Sequence, residues 1–324
     1  MREHPAHWPA RLVGLAGVVS AAYWTTLSSR SQLLGRFPFR GAGSEKVIAL
    51  TFDDGPNEPF TTQIGDFLAG EAIRATFFQV GRCVERFPES TTTLLRQGHV
   101  IGNHSYSHEL LQCLRPRAQR TQTQAAQNVL TQAIGQTPAL YRPPWLLRTP
   151  ALYGTLRDHN LQPISGEFCH PFEVFQPNPQ RMARRALTKV RPGSILIFHD
   201  GFGSRRGNRA NTVEAVMIVV AELLREGYLF VTVDDLLGIP AFRTGGPYRS
   251  GWVETSRSGE GEPDQRRTRA RRSDRPDPST DWTRSVAGNV GSEVPARIPG
   301  GARRRLGAAW QRRGGADETT TSTA

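Results

Sequence analysis

The stretch at residues 47–56, VIALTFDDGP, constrains the fold of this chain more than any other. Residues 47–52 form an apolar, β-branched run that ends at turn residues, which predicts a buried strand. Two adjacent carboxylates, Asp53 and Asp54, follow this strand directly, and a Gly-Pro pair then forces a turn. Two like charges at the end of a buried strand repel each other unless a cation or a shared proton offsets them. The stretch therefore indicates either a functional site or a turn that serves backbone geometry alone.

Between residues 47 and 237, short apolar runs alternate with longer segments of helical character. The strand candidates are residues 47–52, 75–80, 99–102, 139–142, 161–165, 194–198 and 228–233. The helix candidates include residues 60–68, 117–134, 150–158, 179–190 and 212–226. This alternation predicts βαβ units and an α/β fold with a parallel sheet. The strand candidates suit a distorted, incomplete (β/α) barrel, with a doubly wound open sheet as the alternative. In both folds, functional side chains lie at the carboxyl ends of the strands.

The composition divides the chain into three parts. Residues 1–44 hold a basic segment, a hydrophobic signal or anchor and a linker, and residues 45–240 form the α/β domain. Residues 241–324 are rich in Arg, Gly, Pro, Ser and Thr and lose apolar periodicity, which predicts a disordered tail.

The uncharged run at residues 12–27 is shorter than the roughly 20 residues of a usual membrane span. It fits a signal-peptide core or a short signal anchor, with a helix packed on the domain as the alternative. Because basic residues precede the run, we expect the rest of the chain outside the cytoplasm. It would be secreted there or anchored to the cytoplasmic membrane by this segment.

The charge and the cysteines exclude some classes of function. The formal charge is +12, and Lys46 and Lys189 are the only lysines among the 41 basic residues. Such one-sided use of arginine resembles a coding bias, so we expect no nucleic-acid partner. The three cysteines, Cys83, Cys113 and Cys169, have no CxxC spacing and are odd in number. They therefore argue against a disulfide framework and against a thiolate zinc site.

A pair of histidines, His104 and His108, directly follows the strand candidate at residues 99–102. Histidines four residues apart face the same way on a helical turn, so both imidazoles can reach one ion. Together with a carboxylate at the end of a neighbouring strand, they predict a two-histidine, one-carboxylate site. Such a site holds a divalent metal and leaves positions open for water and substrate.

Two further strand candidates also end in polar side chains. Arg142 and Trp145 lie in the segment YRPPW, where a forked arginine can hold a carboxylate in a fixed orientation. The two prolines of this segment stiffen the loop and leave the Trp145 N–H free to point into a site. The buried run ILIFHD delivers His199 and Asp200 at its end, where a histidine is well placed to act as a general acid.

In this order, TFDDGP, HSYSH, RPPW and LIFHD resemble the motifs of the polysaccharide deacetylases, the NodB-homology domain of carbohydrate esterase family four. The resemblance covers residues 45–237. It implies a distorted (β/α) barrel with a bound divalent metal, most often Zn²⁺, that removes acetyl groups from N-acetylated sugars or, in some members, O-acetylated ones. The resemblance assigns Asp53 the role of general base, oriented by Arg142, and His199 the role of general acid. It assigns the metal to Asp54, His104 and His108. The Trp145 N–H would donate a hydrogen bond to the oxyanion.

One motif of the family is missing from this chain. After the fifth strand the family has an aspartate–tryptophan pair whose carboxylate supports the acid histidine, whereas residues 165–173 read SGEFCHPFE. Three acidic residues are candidates for the missing carboxylate, and the sequence does not select among Glu167, Glu173 and Asp200.

The expected function is the metal-dependent removal of acetyl groups from an acetylated envelope or chitin-like polysaccharide. Three alternatives stay open: an O-deacetylase, an amidase on a non-sugar substrate, and a catalytically degenerate binding protein of the cell envelope. A non-haem iron oxygenase also uses two histidines and one carboxylate. The α/β pattern and the close spacing of the two histidines disfavour it.

Overall fold

The computed structural model describes residues 8–243. The strands are β1 Val47–Asp53, β2 Thr76–Gln79, β3 Val100–Asn103, β4 Leu140–Tyr141, β5 Gln162–Pro163, β6 Glu167–Phe168, β7 Ile195–His199 and β8 Leu229–Val231. The helices are α1 Trp8–Thr26, α2 Phe60–Gly70, α3 Gly81–Arg86, α4 Pro88–Arg96, α5 Leu110–Leu114, α6 Pro116–Ile134, α7 Pro150–Asp158, α8 Pro179–Leu187, α9 Ala210–Arg225 and α10 Val233–Leu237. From residue 244 onward the predicted tail lies outside the described residues.

The strands form one parallel sheet in the order β5-β4-β3-β2-β1-β7-β6, and β8 pairs with the start of β1. The two edge strands, β5 and β6, follow each other in the chain with only residues 164–166 between them. The sheet therefore curls into an incomplete (β/α) barrel, as the sequence predicted, and the doubly wound alternative is wrong.

β1 lies at the centre of the core because nearly all of its residues are apolar and point into packed layers. Its side chains from Ile48 to Asp53 are buried, and the Phe52 ring stacks on Phe77 of β2 at 4.8 Å and on Phe198 of β7 at 6.1 Å between ring centroids. Burial of a phenylalanine side chain stabilises the fold by roughly 1.5–3 kcal/mol. The strand that leads into both aspartates is thus held by aromatic packing against a neighbouring strand on each side.

The predicted strands all have a counterpart in the sheet, whereas several short elements were not predicted. β6 has two residues, and α3, α5 and α10 have five or six, which is too short for a hydrophobic period to be visible. α4 begins at Pro88, and its Glu89 in the first turn suits a helix start.

The segment before the barrel begins with α1, which ends at Thr26. Within the described residues, no helix combines the length and the apolar character that a bilayer crossing requires. Val18, Tyr23 and Trp24 of α1 are exposed. The role of residues 12–27 as a leader or anchor stays a prediction.

Candidate metal centre and active site

The carboxyl ends of the strands meet at one edge of the sheet and carry the polar residues predicted from the sequence. Asp53 lies opposite His199 in the register of β1 and β7, and Asn103 lies opposite Tyr141 in that of β3 and β4. The loop after β1 packs tightly, since a Cβ atom on Gly55 would lie only 2.0 Å from Oδ2 of Asp200. A glycine is therefore required where this loop passes the end of β7.

Asp54, His104 and His108 converge on one point. Asp54 Oδ1 lies 3.3 Å from His104 Nε2 and 3.0 Å from His108 Nε2, and the three potential ligand atoms all lie within 4.8 Å of one another. Asp54 and His104 are buried, and His108 is largely so. These are the three residues that the resemblance assigned to the metal.

The two histidines come together on a loop, so the predicted helical turn is wrong. Ser105 and His108 both have a positive φ, 69° and 57°, which no α-helix accommodates. The loop is instead held by side chains, because the Ser105 N–H donates to Asn103 Oδ1 and the Ser107 N–H donates to Gln122 Oε1. Hydrogen bonds to asparagine and glutamine replace the helical ladder here.

The hydrogen bond of His104 shows that this group of residues fits a cation. Its Nδ1 lies 2.7 Å from the carbonyl oxygen of Arg142, which can only accept, so Nδ1 carries the proton. In the neutral imidazole the Nε2 lone pair then faces Asp54 Oδ1, which is itself buried without a hydrogen-bond donor. Two facing lone pairs repel, and a divalent cation between them removes the repulsion. Asp54, His104 and His108 would hold that cation.

The ionised form of the Asp54 carboxyl is strongly favoured. Burial raises the pKa of this carboxyl, but the facing imidazoles of His108 and His104, when both of their ring nitrogens are protonated, outweigh burial and hold the pKa well below its ordinary value. The group is therefore ionised at neutral pH and available as a metal ligand.

Arg142 fixes the other aspartate from inside the barrel. Its Nη1 donates to Asp53 Oδ1 and to Thr51 Oγ1, both at 2.7 Å, and its Nη2 donates to the Ser165 carbonyl at 2.9 Å. The guanidinium also lies 4.1 Å from the centroid of the Phe78 ring. Arg142 and Asp53 are both buried, so the carboxylate is held in one orientation by a charge-assisted hydrogen bond.

His199 is paired with Glu173, which settles the question that the sequence left open. His199 Nδ1 lies 3.0 Å from Glu173 Oε2, and the His199 backbone N–H donates to Oε1 of the same carboxylate at 2.9 Å. Burial alone would lower the pKa of His199, but Glu173, with help from Asp54 and Asp53, outweighs burial and raises the pKa to about 9. The imidazole is thus held protonated, with Nε2 left for a substrate.

The two other acidic candidates are engaged elsewhere. Glu167 forms an ion pair with Arg30 at 2.6 Å, and Asp200 accepts a hydrogen bond from Thr61. Burial raises the pKa of Asp200 to about 7. No sequence signal distinguishes Glu173, since it follows a Pro-Phe pair in a segment without periodicity.

Trp145 forms one wall of the site. Its ring lies 4.2 Å from the His108 ring between centroids, and its side chain is 40% exposed. The backbone at Trp145 has a φ of 54°, which turns the chain sharply after Pro144. The hydrogen bond from the Trp145 N–H to an oxyanion stays a prediction.

A segment outside the barrel strands supports Arg142 from behind. Ser165, whose carbonyl accepts from Arg142, donates its hydroxyl to the Ser29 carbonyl at 2.6 Å and its N–H to the Pro38 carbonyl at 2.8 Å. Arg148 is fully buried beside it and donates to the Ser28 carbonyl and to Ser165 Oγ. Residues 26–41 thus lie along the gap between β5 and β6.

Three groups of side chains meet at the strand ends of this incomplete parallel barrel: the candidate cation group Asp54, His104 and His108, the buried Arg142–Asp53 pair, and His199 with its supporting carboxylate. This combination is typical of a hydrolase. The family described as polysaccharide deacetylase matches residues 40–164 of this chain. The chain is also 31% identical over 196 residues to a peptidoglycan-N-acetylglucosamine deacetylase of Bacillus cereus, covering 60% of this chain and 89% of that protein. This chain belongs to the polysaccharide deacetylase family.

Solved structures give the same result. The Bc1960 peptidoglycan N-acetylglucosamine deacetylase, crystallised with a substituted N-oxidanyl-benzamide, matches with a TM-score of 0.58 and 27% identity over 63% of this chain and 94% of that one. A family 4 acetyl xylan esterase of Clostridium thermocellum with a cobalt ion matches with a TM-score of 0.53 and 30% identity, covering 61% of this chain and 94% of that one. The prediction of an enzyme of the polysaccharide deacetylase type is confirmed.

Proposed function

We propose that this protein is a metal-dependent hydrolase that removes the acetyl group from N-acetylated sugars of an envelope or chitin-like polysaccharide. The observation that supports it most is the coexistence of a cation-binding group, Asp54 with His104 and His108, and the two proton-transfer pairs Arg142–Asp53 and Glu173–His199. Amide hydrolysis needs a base for the attacking water and an acid for the departing amine, and this site offers one of each.

When bound, a divalent ion such as Zn²⁺ or Co²⁺ would polarise the acetyl carbonyl and lower the pKa of a nearby water. Asp53, held by Arg142, accepts the proton of the water that attacks the carbonyl carbon. The Trp145 N–H donates to the developing oxyanion, an interaction for which one donor is typically worth ~3 kcal/mol. His199 gives its proton to the amine nitrogen, the C–N bond breaks, and acetate and the free amino sugar leave.

The same site accommodates O-deacetylation, and the similarity to a family 4 acetyl xylan esterase favours it as a second candidate. An alkoxide leaving group also takes a proton from an acid. N-acetylated sugars stay first because an amine is the poorer leaving group and needs a strongly held acid, which the Glu173–His199 pair supplies.

We further propose that the protein works outside the cytoplasm, because residues 12–27 read as an export signal or anchor and because envelope glycans lie there. Fusion of a periplasmic reporter after residue 44 would become active in this case. A reporter that stays in the cytoplasm contradicts the proposal.

An acetate-release screen tests the activity. Purified protein is stripped of metal, reloaded with Zn²⁺ or Co²⁺, and incubated with peptidoglycan, chito-oligosaccharides and acetylated xylan. We expect metal-dependent release of acetate from an N-acetylated polymer, abolished by chelation and restored by added ion. Release from acetylated xylan alone would favour the esterase, and no release from any substrate would contradict the proposal.

A further inference from the structure

Two phenylalanines protrude from the turn that supports the acid histidine. Phe172 is 62% exposed and Phe175 is 78% exposed, and their ring centroids lie 6.5 Å apart. Val174 between them is also 43% exposed. Isolated exposed apolar side chains are ordinary, but a contiguous aromatic pair beside a site marks a binding surface.

The turn that bears them is firmly held. Glu173 points inward to His199, and the Glu173 carbonyl accepts hydrogen bonds from Arg209 and from Gln176. The Glu173 carboxylate accepts a further one from Thr212. Because Glu173 is fixed, Phe172 before it and Phe175 two residues after it are presented to solvent on a rigid base.

The sheet order places this turn on one particular side of the site. β1, which ends at Asp53 and leads directly into Asp54, lies between β2 and β7, so His104 and His108 after β3 lie on one side of it and His199 lies on the other. The phenylalanines follow β6, next to β7, and so share the His199 side. The His108 side instead carries Trp145 and the exposed leucines of α5, Leu110, Leu111 and Leu114.

The chemistry of the proposed reaction predicts which part of the substrate lies on the His199 side. His199 protonates the amine nitrogen, and that nitrogen is bonded to the sugar ring, so the ring and the sugars linked to it extend away from the acyl carbon on this side. Pyranose rings present C–H faces that pack on the negative face of an aromatic ring. Two rings about one sugar apart suit neighbouring residues of a glycan chain.

We propose that Phe172 and Phe175 form a platform that binds successive sugars of the substrate glycan, so that the enzyme acts on chains rather than on single amino sugars. The inference rests on the proposed deacetylation. It adds a binding site for a neutral, pyranose-based oligosaccharide beyond the reacting sugar.

The test is the dependence of kcat/KM on chain length for N-acetylated chito-oligosaccharides of two to six sugars. We expect the wild-type value to rise with length and the F172A/F175A variant to lose about tenfold on the hexamer, mainly through KM, and far less on the dimer. Leu229→Ala is the matched control, because Leu229 is 65% exposed but lies on β8 opposite Val47, at the other end of β1. If the double variant loses as much kcat/KM on the dimer as on the hexamer, or loses none on either, the platform proposal is wrong.

A binding measurement separates this proposal from the activity. Hexamer titrated into Asp53→Asn protein by calorimetry should bind several-fold more weakly when both phenylalanines are replaced, whether or not the wild type releases acetate. If the wild type releases no acetate, the proposed function fails while this titration still decides the platform. If the double variant loses binding to anionic lipid vesicles but keeps hexamer affinity, the surface contacts lipid and the proposal is wrong.

Discussion

Glu173 binds His199 twice, through the imidazole Nδ1 at 3.0 Å and through the backbone N–H at 2.9 Å. The carboxylate is almost fully buried, with 2% of its side chain exposed, while the imidazole remains 21% exposed. A buried anion against a partly exposed imidazole orients the ring and holds its proton. We infer that it takes the place of the aspartate that the resemblance leads us to expect after the fifth strand.

Replacement of Glu173 by Gln should shift the alkaline limb of the pH–rate profile. His199 must be protonated to act as an acid, and its pKa of about 9 is raised chiefly by this anion. Loss of the negative charge destabilises the imidazolium, so the pKa falls and activity is lost at lower pH, by roughly one to two pH units. We also expect a 10- to 100-fold lower kcat, and both effects are read from kcat/KM and kcat between pH 5 and pH 10 at one metal loading.

Glu167→Gln is the control for that experiment, because Glu167 is also a buried acid but pairs with the exposed Arg30. Its alkaline limb should stay in place, and Glu173→Asp should restore part of the wild-type profile. An unmoved limb in Glu173→Gln would show that the pairing does not tune the acid.

Substitutions should show that Asp53 and the cation-binding group have different roles. Asp53→Asn should abolish turnover but retain the metal, because Asp53 contacts Arg142 and lies outside the cation-binding group. His104→Ala should lose both, because it removes one of three ligands. Acetate release and metal content by mass spectrometry of the same samples check the prediction, and normal turnover in Asp53→Asn would refute the base assignment.

The elements best predicted from the sequence were those with strong local signals. The strands before Asp53, Asn103 and His199 are apolar runs, and their carboxyl ends had to meet at one edge of a parallel sheet. The loop carrying His104 and His108 was misjudged because an i, i+4 spacing also fits a loop whose φ angles turn positive at Ser105 and His108.

Contacts between residues far apart in the chain could not be predicted from the sequence. Glu173 reaches His199 over 26 residues, and Arg148 reaches the carbonyl of Ser28 over 120. Such pairs depend on how loops pack against the barrel, and no periodicity or spacing encodes them.

A bound divalent ion should stabilise the fold by occupying Asp54, His104 and His108. A ligand that binds the folded state alone at 100 times its Kd adds about 2.7 kcal/mol. For a domain of this size we expect a rise in Tm of roughly 5–10 °C on addition of Zn²⁺ to stripped protein. Differential scanning calorimetry of the wild type and Asp54→Asn measures it. An equal rise in the variant would place the ion elsewhere.

Residues 26–41 should be required for both stability and turnover, because they brace the residue that orients Asp53. Arg148 is fully buried and donates to the carbonyls of Ser28 and Ser29 and to Ser165 Oγ, and the Ser165 carbonyl in turn accepts from Arg142. Arg148→Met removes these hydrogen bonds from a charged donor, which are typically worth roughly 1.5–3 kcal/mol each.

We therefore expect Arg148→Met to lower the free energy of unfolding by about 3 kcal/mol and to lower kcat more than it raises KM. Leu33→Ala is the matched control, since Leu33 lies in the same segment but is 77% exposed, and a surface substitution of this kind should change the free energy of unfolding by no more than about 0.5 kcal/mol. Urea unfolding and acetate release at saturating substrate measure both quantities. If Arg148→Met unfolds at the wild-type urea concentration with an unchanged kcat, the segment does not support the catalytic aspartate.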